Sequence, residues 1–484
     1  MIMDRSAGSN GSCPATRGVS SGRPCVLIIA VAIFSAGLFS SCLKRPAPPE
    51  LREPGEAPVT QPPKVEGDSW QTFRKELRTH EEAEKVLLGI MKDYGVSALS
   101  VAIKQDSSRE THRVGQGYFF SIGVQDPATG KAMDGNTVFR AGILSQPLFG
   151  YLVLRLANAQ RIDIDRPLHE YLDRALTDYP EYADLKGDSR WKRLTARLIL
   201  AHRSGLINSR LSAPDKRLRF ASSPGKEFGY SEEGFRLLQF VLEKMFRRPL
   251  NDIANIVVYS RLSLSQTSFV WEPRFEGRLA MPAGVDITAE RDRGADAAGS
   301  LITTASDFLA FTHVVLDKRG MLNAMVTAAY FLPEVQIRSS RIDSAPVTGK
   351  IASNPTRLGW CQGWAEYGDW VNPTYCLGRR ENGLEVYAAY YSPQHTSICI
   401  MGISSGRRPF TARILEELLG DTSAPLTWLG FDDPSPPREK VAGAIREPAH
   451  DDPSRPTPVI RDAGSRPGAM NGSVPVRFGP LQKD

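Results

Sequence analysis

Cysteine and histidine are scarce in this 484-residue chain, which has six of the first and seven of the second. Cys13, Cys25 and Cys42 fall in the N-terminal region, leaving Cys361, Cys376 and Cys399 for the rest. No spacing among them resembles a zinc site, and the histidines are scattered, so neither a structural metal nor a cofactor is expected. An excess of one charge is also missing. The net charge is +6 and the pI about 8.9. With no Lys/Arg stripe, the electrostatic footprint of nucleic-acid binding is absent. Long apolar runs are wanting too. The uncharged stretch Cys25–Ser41, preceded by Arg5, Arg17 and Arg23, has 17 residues. That is short for a stable membrane span and long for a signal-peptide core.

That run ends Leu38-Phe39-Ser40-Ser41-Cys42-Leu43-Lys44. Small residues before a cysteine resemble a bacterial lipobox, in which Cys42 becomes the lipidated N-terminus. Phe39 departs from the leucine usual at its place. The alternative is an uncleaved N-terminal anchor. Either one holds the rest of the chain at a membrane, outside the cytoplasm, and predicts a bacterial cell-envelope location. Seven prolines between Pro46 and Pro63 make residues 43–66 an extended tether unable to bury a core. Residues 421–484, with Pro434, Pro436, Pro437, Pro448, Pro453, Pro456, Pro458 and Pro467, read as a disordered tail. The organisation expected is a leader or anchor over 1–42, the tether, one domain over 67–420, and the tail.

Within the domain, Trp70–Tyr94 has helical spacing, with Gly95 as a stop. Val96–Lys104 alternates as a strand, with Leu99, Val101 and Ile103 on one face; Val114–Tyr118 continues the sheet, and Asp126–Lys131 reads as a turn. Phe139–Leu148 then joins this β-patterned segment to an apolar helix carrying Leu148, Leu152 and Leu156. Further stretches follow in order: Gln160–Leu168, Leu194–Leu206, Ser223–Phe235, Ala297–Phe308 and Leu358-Gly359-Trp360. Glu385–Tyr391 and Ser397–Ile403 read as closing strands and Thr411–Leu419 as a C-terminal helix.

Taken together, these boxes resemble the penicillin-binding and β-lactamase-like serine hydrolases, the class C β-lactamases and DD-peptidases among them, over about residues 70–420. The resemblance implies an α/β (α+β) fold: an antiparallel sheet flanked by helices, plus an all-helical subregion. It also implies a reactive serine in Ser-x-x-Lys at a helix N-terminus, a Tyr-x-Asn element, and a Lys-Thr-Gly or His-x-Gly strand. In the register set by Phe139-Arg140, Ile143 stands at the serine position and Gln146 at the lysine position. Tyr230 is kept, but Glu232 replaces the asparagine. Near Leu377–Gly383 the third element lacks its lysine or histidine.

An isoleucine cannot attack a carbonyl, and an amide cannot carry a proton at neutral pH. No catalytic residue is therefore expected at these positions. Ser145 is the candidate for a relocated nucleophile. It lies two residues beyond the serine position, about 200° around a helix, and no lysine follows three residues on. His202 reads as structural. Tyr230, Glu232, Arg379 and Arg380 are the candidate binding residues, with an ion pair from Glu232 to one of the arginines filling the old site. If Gly368-Asp369 turns a hairpin, Cys361 lies opposite Cys376, and an exported location would let them pair.

Three functions compete. The first is a membrane-held, non-catalytic binding or scaffolding protein of the envelope, whose ligand is a peptidoglycan fragment, another envelope protein or a small molecule. The second is an active hydrolase with relocated residues, and the third a purely structural envelope protein.

Overall fold

The computed structural model describes residues 79–105, 116–282, 291–317, 322–344, 357–368, 373–421 and 424–431. The apolar run, Cys42, the tether, Trp70 and the tail beyond 431 lie outside the described residues.

Helix α1, His80–Tyr94, begins at a capping box: Thr79 Oγ1 accepts from the Glu82 N–H, and the Glu82 carboxylate accepts from the Thr79 N–H. It ends at Gly95, whose φ of +65° suits glycine. The described strands are β1 Val96–Gln105, β2 Gln116–Asp126, β3 Lys131–Ala132, β4 Phe139–Gly142, β5 Leu301–Thr303, β6 Val335–Gln336, β7 Arg357–Trp360, β8 Ala365–Gly368, β9 Pro373–Glu381, β10 Leu384–Tyr391 and β11 Thr396–Ser404. Nine of them form one antiparallel sheet in the order β3-β2-β1-β11-β10-β9-β8-β7-β6, while β4 and β5 pair separately. The N-terminal strand thus sits beside the C-terminal one, closing the domain through a long-range contact.

Both faces of the sheet are covered. Leu99, Val101 and Ile103 are buried as their alternation predicts, but so are Ala98 and Ala102 between them, because β1 is central. Successive β10 residues point to opposite faces. Glu385 meets the start of helix Thr411–Leu419, accepting from the Thr411 N–H and hydroxyl at 3.1 and 2.7 Å. Tyr390, of opposite parity, bonds Asp317, just beyond helix Ala305–Thr312. The two helices therefore lie on opposite faces. The helical subregion holds α2 Ser145–Asn158, α3 Ala196–Leu200 and α4 Glu232–Phe246, packed around Phe149, Phe235 and Leu238.

Two expectations need correction. Cys361 and Cys376 are buried thiols that are not joined in a disulfide. Cys361 belongs to the turn 361–364, its N–H donating to Trp364 O, whereas Cys376 lies across from Ala365. Two successive hairpins, β7–β8 and β8–β9, occupy the sequence assigned to one, so β8 separates the two positions. The packed chain also runs past 420. Asp421 accepts hydrogen bonds from the Tyr367 and Tyr391 hydroxyls, and Trp428, Leu429 and Phe431 are buried.

Candidate functional site

The candidate site is assembled where β4 hands over to α2. β4 pairs with β5, a turn at Ile143-Leu144 follows, and α2 begins at Ser145. Ile143 is 4 % exposed and Gln146 not at all. The β7–β8 turn presses on this junction. Gly363, at φ +100°, would bring an added Cβ to 2.9 Å from Gln146 O, so the helix start is clasped where only glycine fits.

Gln146 lies at the middle of a buried hydrogen-bond chain. The Ser231 N–H donates to His202 Nδ1 at 3.1 Å, which leaves the His202 proton on Nε2. Nε2–H donates to Gln146 Oε1 at 3.1 Å, and Gln146 Nε2 donates to the Tyr230 hydroxyl at 2.6 Å. Every member is neutral. Burial pushes the His202 pKa down to about 3. It pushes the Tyr230 hydroxyl above the usual phenol range, with the Glu232 charge adding to the rise and Arg379 opposing it. His202 bonds the nearby Ser231 N–H and also Gln146, which comes from a distant part of the chain.

Ser145 does not face this chain. Its hydroxyl donates to Gly142 O at 2.7 Å and accepts from the Leu301 N–H at 3.0 Å, tying α2 to β5. Elsewhere, Ser397 Oγ lies 3.1 Å from His313 Nδ1, and Asp317 Oδ2 lies 3.9 Å from His313 Nε2. Ser397, on β11, and His313 are both buried, and 3.9 Å is too long for the hydrogen bond that orients a catalytic histidine.

The expected ion pair forms with a different partner. Glu232 pairs with Arg236, one turn along α4, at 3.0 Å, and Arg236 pairs with Asp296 at 3.0 Å. Burial raises the Glu232 pKa, against the pull of Arg236. Arg379 pairs with Asp343 at 2.9 Å and lies 6.0 Å from the Tyr230 ring centroid, so it does border the site. Arg380 points the other way, to Glu385 at 3.1 Å and Gly406 O at 2.6 Å, as its opposite parity on β9 requires. It lies away from Gln146 and Tyr230.

Sequence reasoning missed Arg236, Asp296 and Trp428. The i, i+4 spacing of Glu232 and Arg236 was the available clue for the first. Trp428 lies tilted at 6.3 Å from Phe228 and edge-on at 6.4 Å from Trp360, and Trp360 reaches His202 at 4.7 Å. The aromatic residues between the prolines hinted at this wall.

A family profile described as Beta-lactamase matches residues 83–387. The chain belongs to the Beta-lactamase family. Solved structures agree on the fold. EstCE1, a hydrolase with promiscuous acyltransferase activity, superposes with a TM-score of 0.53 at 18% identity, over 70% of this chain and 99% of that one. The octameric penicillin-binding protein homologue from Pyrococcus abyssi gives 0.52 at 15% identity, over 72% and 79%. A class C beta-lactamase gives 0.52 at 15% identity, over 70% and 96%.

Proposed function

We propose that this member of the Beta-lactamase family is a non-catalytic binding or scaffolding protein of the bacterial cell envelope, held at a membrane by its N-terminal segment. The observation that carries the reading is Gln146. Its amide accepts from His202 and donates to Tyr230, so the position read as the lysine's is a neutral junction engaged on both sides. Ile143 supplies no nucleophile, and Ser145 is engaged by Gly142 and Leu301. The ligand class that suits the fold is a peptidoglycan fragment or another envelope protein, meeting the surface bordered by Arg379 and Glu232.

A purely structural envelope role is the second reading. It is favoured by the Glu232–Arg236–Asp296 cluster, in which the site's charges are paired internally.

The test is intact mass of the folded protein after incubation with a fluorophosphonate probe and a panel of β-lactams. No adduct is expected. An adduct mapping to Ser145, or to any serine near Tyr230, would establish a relocated nucleophile and end the non-catalytic reading. Titration with muropeptides then separates the remaining two, since saturable binding weakened by Arg379→Ala fits a binding protein and none fits a structural one.

A further inference from the structure

The modest net charge of +6 conceals a concentration. Residues 186–226 carry eleven lysines and arginines against two aspartates, so the remainder of the chain is net acidic. The absence of a Lys/Arg stripe, expected from overall composition, does not hold for this segment. The fold brings its two ends, 186–193 and 210–226, onto one face, while Arg197 turns to Asp165 and Glu334 and Arg210 to Glu233. The short helical turns Pro180–Leu185 and Ser189–Arg193 lie against the loop 210–226. Asp184 takes Arg217 and the Leu218 N–H, Arg190 covers Phe220 at 4.9 Å, and the Arg193 guanidinium reaches Pro224 O at 3.3 Å.

Carboxylates neutralise part of this face. Asp184 pairs with Arg217, Asp188 with Arg190 and Asp215 with Arg219. Lys186, Lys192, Arg193, Lys216 and Lys226 are exposed and have no carboxylate partner among the described residues. Arg203, half-buried, donates to Gly225 O instead of an acid. In the turn Arg210–Ser212 at the start of the loop stands Leu211, 68% exposed and the most exposed large apolar side chain among the described residues. The Lys216 ammonium donates to its carbonyl, holding a cation beside it.

We propose that this face docks on a membrane surface rich in anionic phospholipid headgroups, with Leu211 entering the headgroup layer. Basic side chains close to an anionic leaflet are each attracted by roughly 1 kcal/mol, or about fivefold in binding, and an exposed leucine beside them adds apolar insertion. A single-stranded nucleic acid would instead need exposed rings to stack on. Here Trp191 and Phe220 are 8% and 7% exposed, so the aromatic groups of the face are withdrawn. The docking does not depend on the N-terminal anchor, and it would fix which side of the domain faces the membrane.

The test uses the full chain with vesicles of phosphatidylcholine alone or mixed with phosphatidylglycerol. Lysine acetylation is mapped by mass spectrometry, with Lys85 on α1 as the reference position. Lys192, Lys216 and Lys226 are expected to become severalfold less reactive than Lys85 on anionic vesicles only, and to regain reactivity at about 0.5 M NaCl. The triple variant K192E/K216E/K226E should lose the salt-sensitive part of vesicle binding. Leu211→Ser should weaken binding while leaving its salt dependence intact. Equal protection on neutral and anionic vesicles, or none on either, overturns the proposal. So does stronger protection by homopolymeric RNA than by vesicles.

Discussion

Gln146 holds two partners that want opposite things. His202 presents an Nε2–H and needs an acceptor, while the Tyr230 oxygen receives a donor. A primary amide offers both from one side chain, which an ammonium cannot do, since it has donors only. Gln146→Leu removes both bonds at a fully buried position. It is expected to cost about 1–3 kcal/mol for each polar group left unpaired, read as a lower urea midpoint; an unchanged midpoint would mean that water or a rearranged side chain replaces the amide. His202 itself predicts a pH dependence. Its pKa is about 3 in the folded chain against the ordinary 6.5. Below 6.5 the unfolded chain takes up a proton that the folded chain refuses. The contribution is therefore complete above about pH 6.5 and shrinks as pH falls toward 3, by up to about 1.4 kcal/mol per unit. Glu232 opposes this, because its raised pKa stabilises the fold below 4.5 and that stabilisation is lost as pH rises through its folded value. Urea unfolding at pH 7 and pH 5 should show a larger loss for the wild type than for His202→Gln, which can keep both hydrogen bonds. Equal losses would mean that His202 titrates normally.

At the scale of elements, strand parity decides what adjacent residues do. Arg379 and Arg380 are equivalent in sequence, yet one borders Tyr230 and the other braces the Glu385 cap of helix Thr411–Leu419. The same reasoning separates Cys361 from Cys376, since an extra hairpin stands between them. The segment after Gly420 is an element the composition obscured. Asp421 is pinned by two tyrosine hydroxyls, and Trp428 and Phe431 fill gaps beside Trp360 and Tyr387. Ending the chain after Gly420 removes three buried large side chains, each contributing about 1.5–3 kcal/mol. Such a protein is expected to melt many degrees lower or to aggregate, whereas one ending after Phe431 should melt like the full chain. Identical melting of the two would show that the segment packs without stabilising.

Across the whole molecule, the fold is that of the Beta-lactamase family. The antiparallel sheet needs only alternation and β propensity in the right order, and these were readable from β1 through the closing strands. The proposed envelope role and the proposed lipid-facing surface draw on different parts of the chain, the core near Gln146 and the cationic loop 210–226. Loss of vesicle docking would leave the mass-spectrometric test of acylation untouched, and the reverse also holds.

The sequence by itself determined the family resemblance, the order of its boxes along the chain, and which residue types stand at 143, 146 and 232, because motif order and residue chemistry are local properties. It also turned Ser145 away from the site through helical geometry. Tertiary structure alone decided the partners. Gln146 meets His202 and Tyr230, Glu232 settles on Arg236, and Trp428 returns to the core. Such pairings depend on which faces meet after the chain closes, and residues far apart in sequence carry no local mark of the neighbour they will find.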